Sequence, residues 1–240
     1  MITRSDINRL SHATTKITDA ADRVLSKFFS AVDLGDPVMV RDAMLELLPA
    51  LTQEYGDMAA TVAAEWYEDM RAKEVAGKYA ARLAPTADPS AVQGSVRWAA
   101  GELFTASPEG TLRLIEGSLQ RYVLQAARDT VSVNVVADLA RPRFAVVPTG
   151  AKPCPWCVIM ASRGWVYLTE ASAQKHSSFH DDCKCQAVPS WSSEPPRIQG
   201  YDPEGYRQLY TKARKADDVS LGQTAQRMRT LFPDLFPAKK

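Results

Sequence analysis

The sequence has few of the groups from which active sites are usually built. Its 240 residues include 3 histidines, 4 cysteines and 12 glycines, and the glycines are scattered. It has no glycine-rich phosphate loop, no His-Glu-x-x-His and no Gly-x-Ser-x-Gly, so the common nucleotide, metalloprotease and serine-hydrolase motifs are excluded. Charge of one sign is not in excess either: Lys plus Arg number 29 and Asp plus Glu 28, for a net charge of +1. Bulk charge therefore cannot drive nucleic-acid binding, and any such contact needs a local patch. Long apolar runs are missing. Even the stretch from Val131 to Val136 falls far short of the ~20 residues of a membrane span. The opening Met1-Ile-Thr-Arg-Ser-Asp has no apolar core and no small-residue cleavage site, so a soluble intracellular product is expected.

What is present is an ordinary globular composition, 45% hydrophobic and 24% charged, on a chain long enough to bury roughly 70–75% of its unfolded surface. From Thr3 to Val32 the positions Ile7, Leu10, Thr14, Ile17, Ala21, Val24, Phe28 and Ala31 alternate in steps of three and four. They predict one long helix whose seam packs within a bundle. Asp36-Pro37 supplies a cap and a first-turn proline for a second helix, with Val40, Ala43, Met44, Leu47 and Leu48 as its stripe, until Pro49 kinks or ends it. Another helix follows through Tyr55, Ala59, Val62, Trp66 and Met70. The same start signal recurs at Asp88-Pro89, Ser107-Pro108 and Asp202-Pro203. The run from Leu112 to Leu139 reads as one long helix despite the β-branched Thr130–Val136. Arg82 to Ser90 reads as an internal loop. Trp66, Tyr67 and Trp98 are expected in the core, His12 on the surface, and the carboxylates Glu65, Glu68, Asp69 and Glu74 in solvent.

The pattern changes after Arg141. Phe144–Val147, Gly164–Thr169 and Gln186–Pro189 read as short strands, Ser190–Gln199 as a linker, and Asp202–Lys215 and Ser220–Leu231 as closing helices. Leu231-Phe-Pro-Asp-Leu-Phe-Pro puts apolar side chains between helix breakers, a tail that docks on its own domain or on a partner. The expected fold is mainly α: a helical body over 1–141, a small α+β zinc-knuckle element over 142–190, and a linker with C-terminal helices over 191–240.

All four cysteines fall between 154 and 185, as Cys154-Pro-Trp-Cys157 and His180-Asp-Asp-Cys183-Lys-Cys185. Two tight pairs joined by a short β element have the spacing of a tetrahedral zinc site, in which each pair bites the ion from one turn. Cys154, Cys157, His180, Cys183 and Cys185 compete for four places. Symmetry with the first pair favours His180 with Cys183, although Cys185 can replace either, and His176 is a weaker sixth candidate. Four protein ligands leave no open position, so such an ion is structural and no catalytic residue is assigned. Other chemistries remain: a Cys-x-x-Cys redox dithiol, reduced cysteines in a small core, or disulfides in an oxidising environment. A zinc deaminase fails, because its upstream His-x-Glu is missing. Arg141, Arg143, Lys152 and Arg163 form a basic stretch around the cysteines, which keeps open a zinc-containing module that binds nucleic acid.

One resemblance rests on these residues. Pro148-Thr-Gly-Ala, Cys154-x-x-Cys157, Ala161-Ser-Arg-Gly and His180-x-x-Cys183-x-Cys185 with Val188-Pro189 resemble the pattern of the MuF-like minor capsid, or head morphogenesis, proteins of tailed phages, in the version found in phages of actinobacteria. Glu54-Tyr-Gly, Ala64-Glu-Trp-Tyr-Glu and Tyr201-Asp-Pro extend the likeness over roughly residues 50 to 210. Where that family often has proline after the histidine, Asp181 stands here. The resemblance implies a mostly helical, non-enzymatic protein inside the phage head, and in the host cytoplasm during assembly. The portal and major capsid proteins, packaged DNA and further copies of the chain are its candidate partners.

Overall fold

Thr3 opens the first helix with a capping box: its hydroxyl accepts from the Asp6 N–H (3.3 Å), while the Asp6 carboxylate accepts from the Thr3 N–H (3.0 Å). The computed structural model describes residues 1–150, 152–166, 183–215, 217 and 220–236. Helix α1 spans Arg4–Ala31 and buries Ile7, Leu10, Thr14, Ile17 and Ala21 as expected. Beyond Ala21 the buried positions become Leu25 and Phe29, while Val24 is 39% exposed and Ala31 lies at the surface. The cause is periodicity: a straight helix turns every 3.6 residues and drifts by ~20° per heptad from a 3.5-residue seam.

Asp36 caps α2 (Pro37–Ala72) by accepting from the Met39 N–H. Pro49 neither ends this helix nor divides it in two. Proline removes the donor to the carbonyl four residues back, and the amide of Gln93 supplies a substitute to Leu45 O at 3.4 Å. Asp88 caps α3 (Pro89–Ala99), which continues as a 3-10 turn over Ala100–Phe104. Trp98 is 64% exposed rather than in the core. The stripe Val92, Val96 and Ala99 faces inward, and a residue two positions from Val96 points to the opposite side. Helix α4 spans Gly110–Ala137 and starts without a side-chain cap, so Ser107-Pro108 marks the preceding turn and not the cap. Its β-branched segment is helical because Thr130, Val131 and Val135 are buried, and packing outweighs a weak local propensity.

Helices α1, α2 and α4 pack together, most extensively α2 on α4. Gly56 permits the approach to the following loop: a Cβ there would lie 2.7 Å from Thr86 Cγ2 and 3.7 Å from Ala126 Cβ. The loop after α2 is longer than expected, from Lys73 to Asp88, and is stitched down. Ala81 N–H donates to Glu68 (2.7 Å), Arg82 N–H to Asn134 Oδ1 (2.9 Å) and Ala84 N–H to Thr130 Oγ1 (3.1 Å). Glu68 and Glu74 are therefore not free solvated carboxylates; Glu74 accepts from the Ile2 N–H at 3.1 Å. His12 is exposed, as expected.

Strand β1 (Arg143–Pro148) pairs antiparallel with β2 (Cys185–Ser190), from Arg143 opposite Ser190 to Pro148 opposite Cys185. The ribbon is buried between α1 and α4 on one side and α5 (Pro155–Ala161) on the other. Of the further expected strand, Gly164–Val166 is not in a strand and 167–169 lie outside the described residues. Helices α6 (Pro203–Ala213) and α7 (Leu221–Leu231) close on α5, where Val158 and Ile159 meet Ala213, Ala225 and Met228. Phe236 is buried in this cluster and Phe232 packs against it, so the tail docks on its own chain through its two phenylalanines, while Leu231 and Leu235 stay exposed. The fold is mainly α, with seven α-helices and one two-stranded ribbon among the described residues. None of these helices is long and apolar enough to cross a membrane.

Two buried polar features join these parts. Asp138, just past α4, accepts from Arg71 Nε (2.8 Å), Trp191 Nε1 (2.9 Å), Tyr67 OH (3.2 Å) and the Ala140 N–H (2.9 Å). The expected linker is thus held at Trp191, and again where Arg4 Nε donates to Gln199 O at 2.7 Å. Asp22, half-buried on α1, has one carboxylate oxygen without a hydrogen bond. Burial, then the nearby Glu116 and Asp19, push its pKa up to about 6. A carboxyl whose folded pKa exceeds its unfolded value of about 3.9 destabilises the fold when ionised; that cost is complete above the folded value of about 6 and falls away as the pH drops from there through about 3.9. Asp22→Asn is expected to raise Tm at pH 7.5, with the gap to the parent narrowing steadily below pH 6; a gap independent of pH would contradict this.

Candidate metal centre

The cysteine element is assembled by local rules. Pro148 ends β1, and Cys154 then acts as the cap of α5, its Sγ accepting from the Cys157 N–H at 3.1 Å with Pro155 in the first turn. The Cys154-Pro155 pair thus repeats the cap-proline device of Asp36, Asp88 and Asp202. One correction follows: the first pair sits across a helix start rather than within a turn. Cys183 and Cys185 arrive at the head of β2, where Cys185 pairs with Pro148.

All four cysteines are buried. Cys154 Sγ lies 2.9 Å from Cys157 Sγ, which lies 3.5 Å from Cys183 Sγ. The sulfurs of Cys157, Cys183 and Cys185 are within 4.8 Å of one another. Cys157 and Cys185 are joined as a disulfide, in which the buried Cys154 and Cys183 take no part. His176 and His180 lie outside the described residues. The structure therefore brings together the four cysteines among the five expected ligands.

The donor set fits a metal ion. Tetrahedral zinc with Zn–S near 2.3 Å places its sulfurs about 3.8 Å apart, close to the 3.5 Å from Cys157 to Cys183, whereas Cys154 and Cys157 at 2.9 Å and the bonded Cys157 and Cys185 are nearer than that and would have to spread to admit an ion. The same cluster can instead hold a disulfide, and the two states exclude each other because Cys157 and Cys185 cannot be bonded together and ligate as thiolates. The hydrogen bond with Cys183, followed by burial, pushes the Cys154 thiol far above its ordinary pKa. A redox dithiol needs the opposite shift, and the disulfide found joins Cys157 to Cys185 rather than to Cys154.

The sequence reading missed Arg128. It projects from α4 beneath the cluster, is 2% exposed, and donates Nε to Cys185 O (2.9 Å) and Nη2 to Cys183 O (2.7 Å). Burial lowers its pKa, and Cys183, Asp129 and Cys154 act against that shift. The available signal was a cation on an apolar helix face, between Leu124 and Val131. Asp129 beside it is pushed up to about 6 by burial, with Gln125 and Arg128 opposing.

A groove of about 690 Å³ adjoins α5 and α6. Arg163, Arg197 and Arg207 line it together with Asp202 and Glu204, and Arg207 is paired to Glu204 at 2.8 Å. Three guanidinium groups against two carboxylates give little attraction for a polyanion.

Residues 1–213 match the model of a protein family described as VG15 protein, a match that takes in α1 to α6 and the whole cysteine element. No curated protein and no solved structure matches the chain.

Proposed function

This chain belongs to the VG15 protein family, a phage protein family, and from that premise we propose that it is a minor capsid, or head morphogenesis, protein of a tailed phage. In this reading it is a non-enzymatic component held inside the head near the portal, present in the host cytoplasm during assembly, with portal and major capsid proteins as its contacts. The observation that carries the reading is the family match over residues 1–213; the cysteine pattern resembling MuF-like proteins supports the finer assignment. The physics is compatible. A nearly neutral helical body offers helix faces to protein partners, and a small ribbon that cannot build its own core gains folding free energy from a sulfur clamp. Within this reading the clamp is a structural zinc ion.

Mass-spectrometric quantification of purified procapsids and virions tests the assignment. A few copies per particle, retained after nuclease and high-salt washing, are expected; absence from both particles would refute it.

A further inference from the structure

The sequence leaves five residues competing for four metal positions and favours His180. The structure gathers Cys157, Cys183 and Cys185 within 4.8 Å of one another, sets Cys154 Sγ 2.9 Å from Cys157 Sγ, and bonds the buried guanidinium of Arg128 to the carbonyls of Cys183 and Cys185. We propose that the four cysteines are the complete ligand set of a zinc tetrathiolate, and that Arg128 is its built-in counter-charge and positioning residue. This rests on the zinc reading given above and adds its ligands and electrostatics.

Four thiolates around one Zn²⁺ carry a net charge of −2, and a buried anion of that size is costly unless cations or hydrogen-bond donors face it. Arg128 places a guanidinium there from α4, an element that supplies no ligand. A buried guanidinium has its own desolvation cost, and a loaded tetrathiolate beside it would offset part of that cost. Geometry makes the second point. The two guanidinium bonds go to the carbonyls of Cys183 and Cys185, 2.7 and 2.9 Å away, so the same side chain fixes the backbone of the whole second pair. Outer partners of this kind orient ligands and commonly change metal affinity by roughly 10–100-fold. The first pair needs no such help, because Cys154 caps the helix that carries Cys157.

The test uses the full chain, purified under reductant and loaded with zinc. Native mass spectrometry gives the stoichiometry, and competition with a chromophoric chelator gives the affinity. One zinc per chain with four reduced cysteines is expected. His180→Ala and His176→Ala should retain one zinc at unchanged affinity, whereas loss of zinc in His180→Ala would overturn the ligand set. In the cobalt-loaded parent, the thiolate charge-transfer band should report four thiolates; three would overturn the same claim. Arg128→Gln should bind zinc roughly tenfold or more weakly, with Arg128→Lys between it and the parent, because lysine keeps the charge but not the two-carbonyl fork. Equal affinity of Arg128→Gln and the parent would overturn the role given to Arg128. If Arg128→Gln does not fold, Arg128→Lys decides: a weakened affinity supports that role, and an affinity equal to the parent's overturns the positioning part of it. A reduced chain that binds no zinc at all refutes the zinc reading itself and leaves the capsid assignment to its own test.

Discussion

Replacing Asp138 with alanine is expected to lower the unfolding free energy by about 3–5 kcal/mol, the loss typical when one partner of a buried ion pair is removed. Asp138 is 3% exposed and Arg71 9%, so the guanidinium left behind has little water to replace the carboxylate and keeps its bond to Gly77 O (3.2 Å). Tyr67 OH and Trp191 Nε1 lose their acceptor in the same substitution. Trp191→Phe removes a single hydrogen-bond donor and should cost about 1–2 kcal/mol. Urea denaturation followed by circular dichroism measures both; a loss below about 1 kcal/mol for Asp138→Ala would show that the network relaxes onto other partners. The pH dependence is fixed as well. Burial pushes the Asp138 pKa up, but the bond from Arg71, the Ala140 N–H and Trp191 together outweigh it and hold the carboxyl below its usual value. A depressed folded pKa gives stability that is complete above the unfolded value of about 3.9 and is lost as the pH falls through the folded one. The parent and Asp138→Ala curves should therefore stay parallel from pH 8 to 5 and converge in stronger acid.

The second large effect separates the two states open to the cysteines. In a disulfide state Cys157 carries the cross-link while Cys154 only caps α5, a part that serine also plays, so Cys157→Ser should destabilise by about 2–4 kcal/mol and Cys154→Ser by far less. In a zinc state both are ligands. Each serine variant should then lose zinc outright, and the two should have nearly the same reduced Tm, because structural zinc supplies folding free energy only when its ligand set is complete. Thermal melts of the two variants beside the parent, under reductant with and without zinc, distinguish the cases. Equal losses that require zinc support the clamp. A large loss for Cys157→Ser alone, seen only without reductant, supports the cross-link and refutes the metal.

Much of this architecture was legible in the sequence, for identifiable reasons. Asp36-Pro37, Asp88-Pro89 and Asp202-Pro203 each announced a helix start, because a capping carboxylate and a proline lacking N–H are compatible with very little else. The two strands on either side of the cysteines were placed within a residue or two. What the sequence could not show came from distant partners. Pro49 reads as a break until Gln93, far along the chain, is seen on Leu45 O. Glu68 and Glu74 look like solvated helix charges until a loop and the N-terminus fold onto them. Trp98 reads as core at helical spacing, yet its helix turns Val92, Val96 and Ala99 inward instead. For the site, spacing alone gathered the cysteines, but it carried no information on Arg128, which reaches them from a helix more than fifty residues earlier.

Helix α5 is only seven residues long, yet it has two loyalties. One side carries Cys154 and Cys157, and the other presents Val158 and Ile159 to α6, α7 and Phe236. So short a helix has almost no stability of its own in water. The C-terminal helices are therefore seated on a platform held by the sulfur cluster and by the packing of α5 on β1. Opening the cluster should loosen α6 and α7 together, while α1, α2 and α4 stay closed. In amide hydrogen exchange, the protection of α6 and α7 would then follow the state of a cluster that neither helix supplies with a ligand.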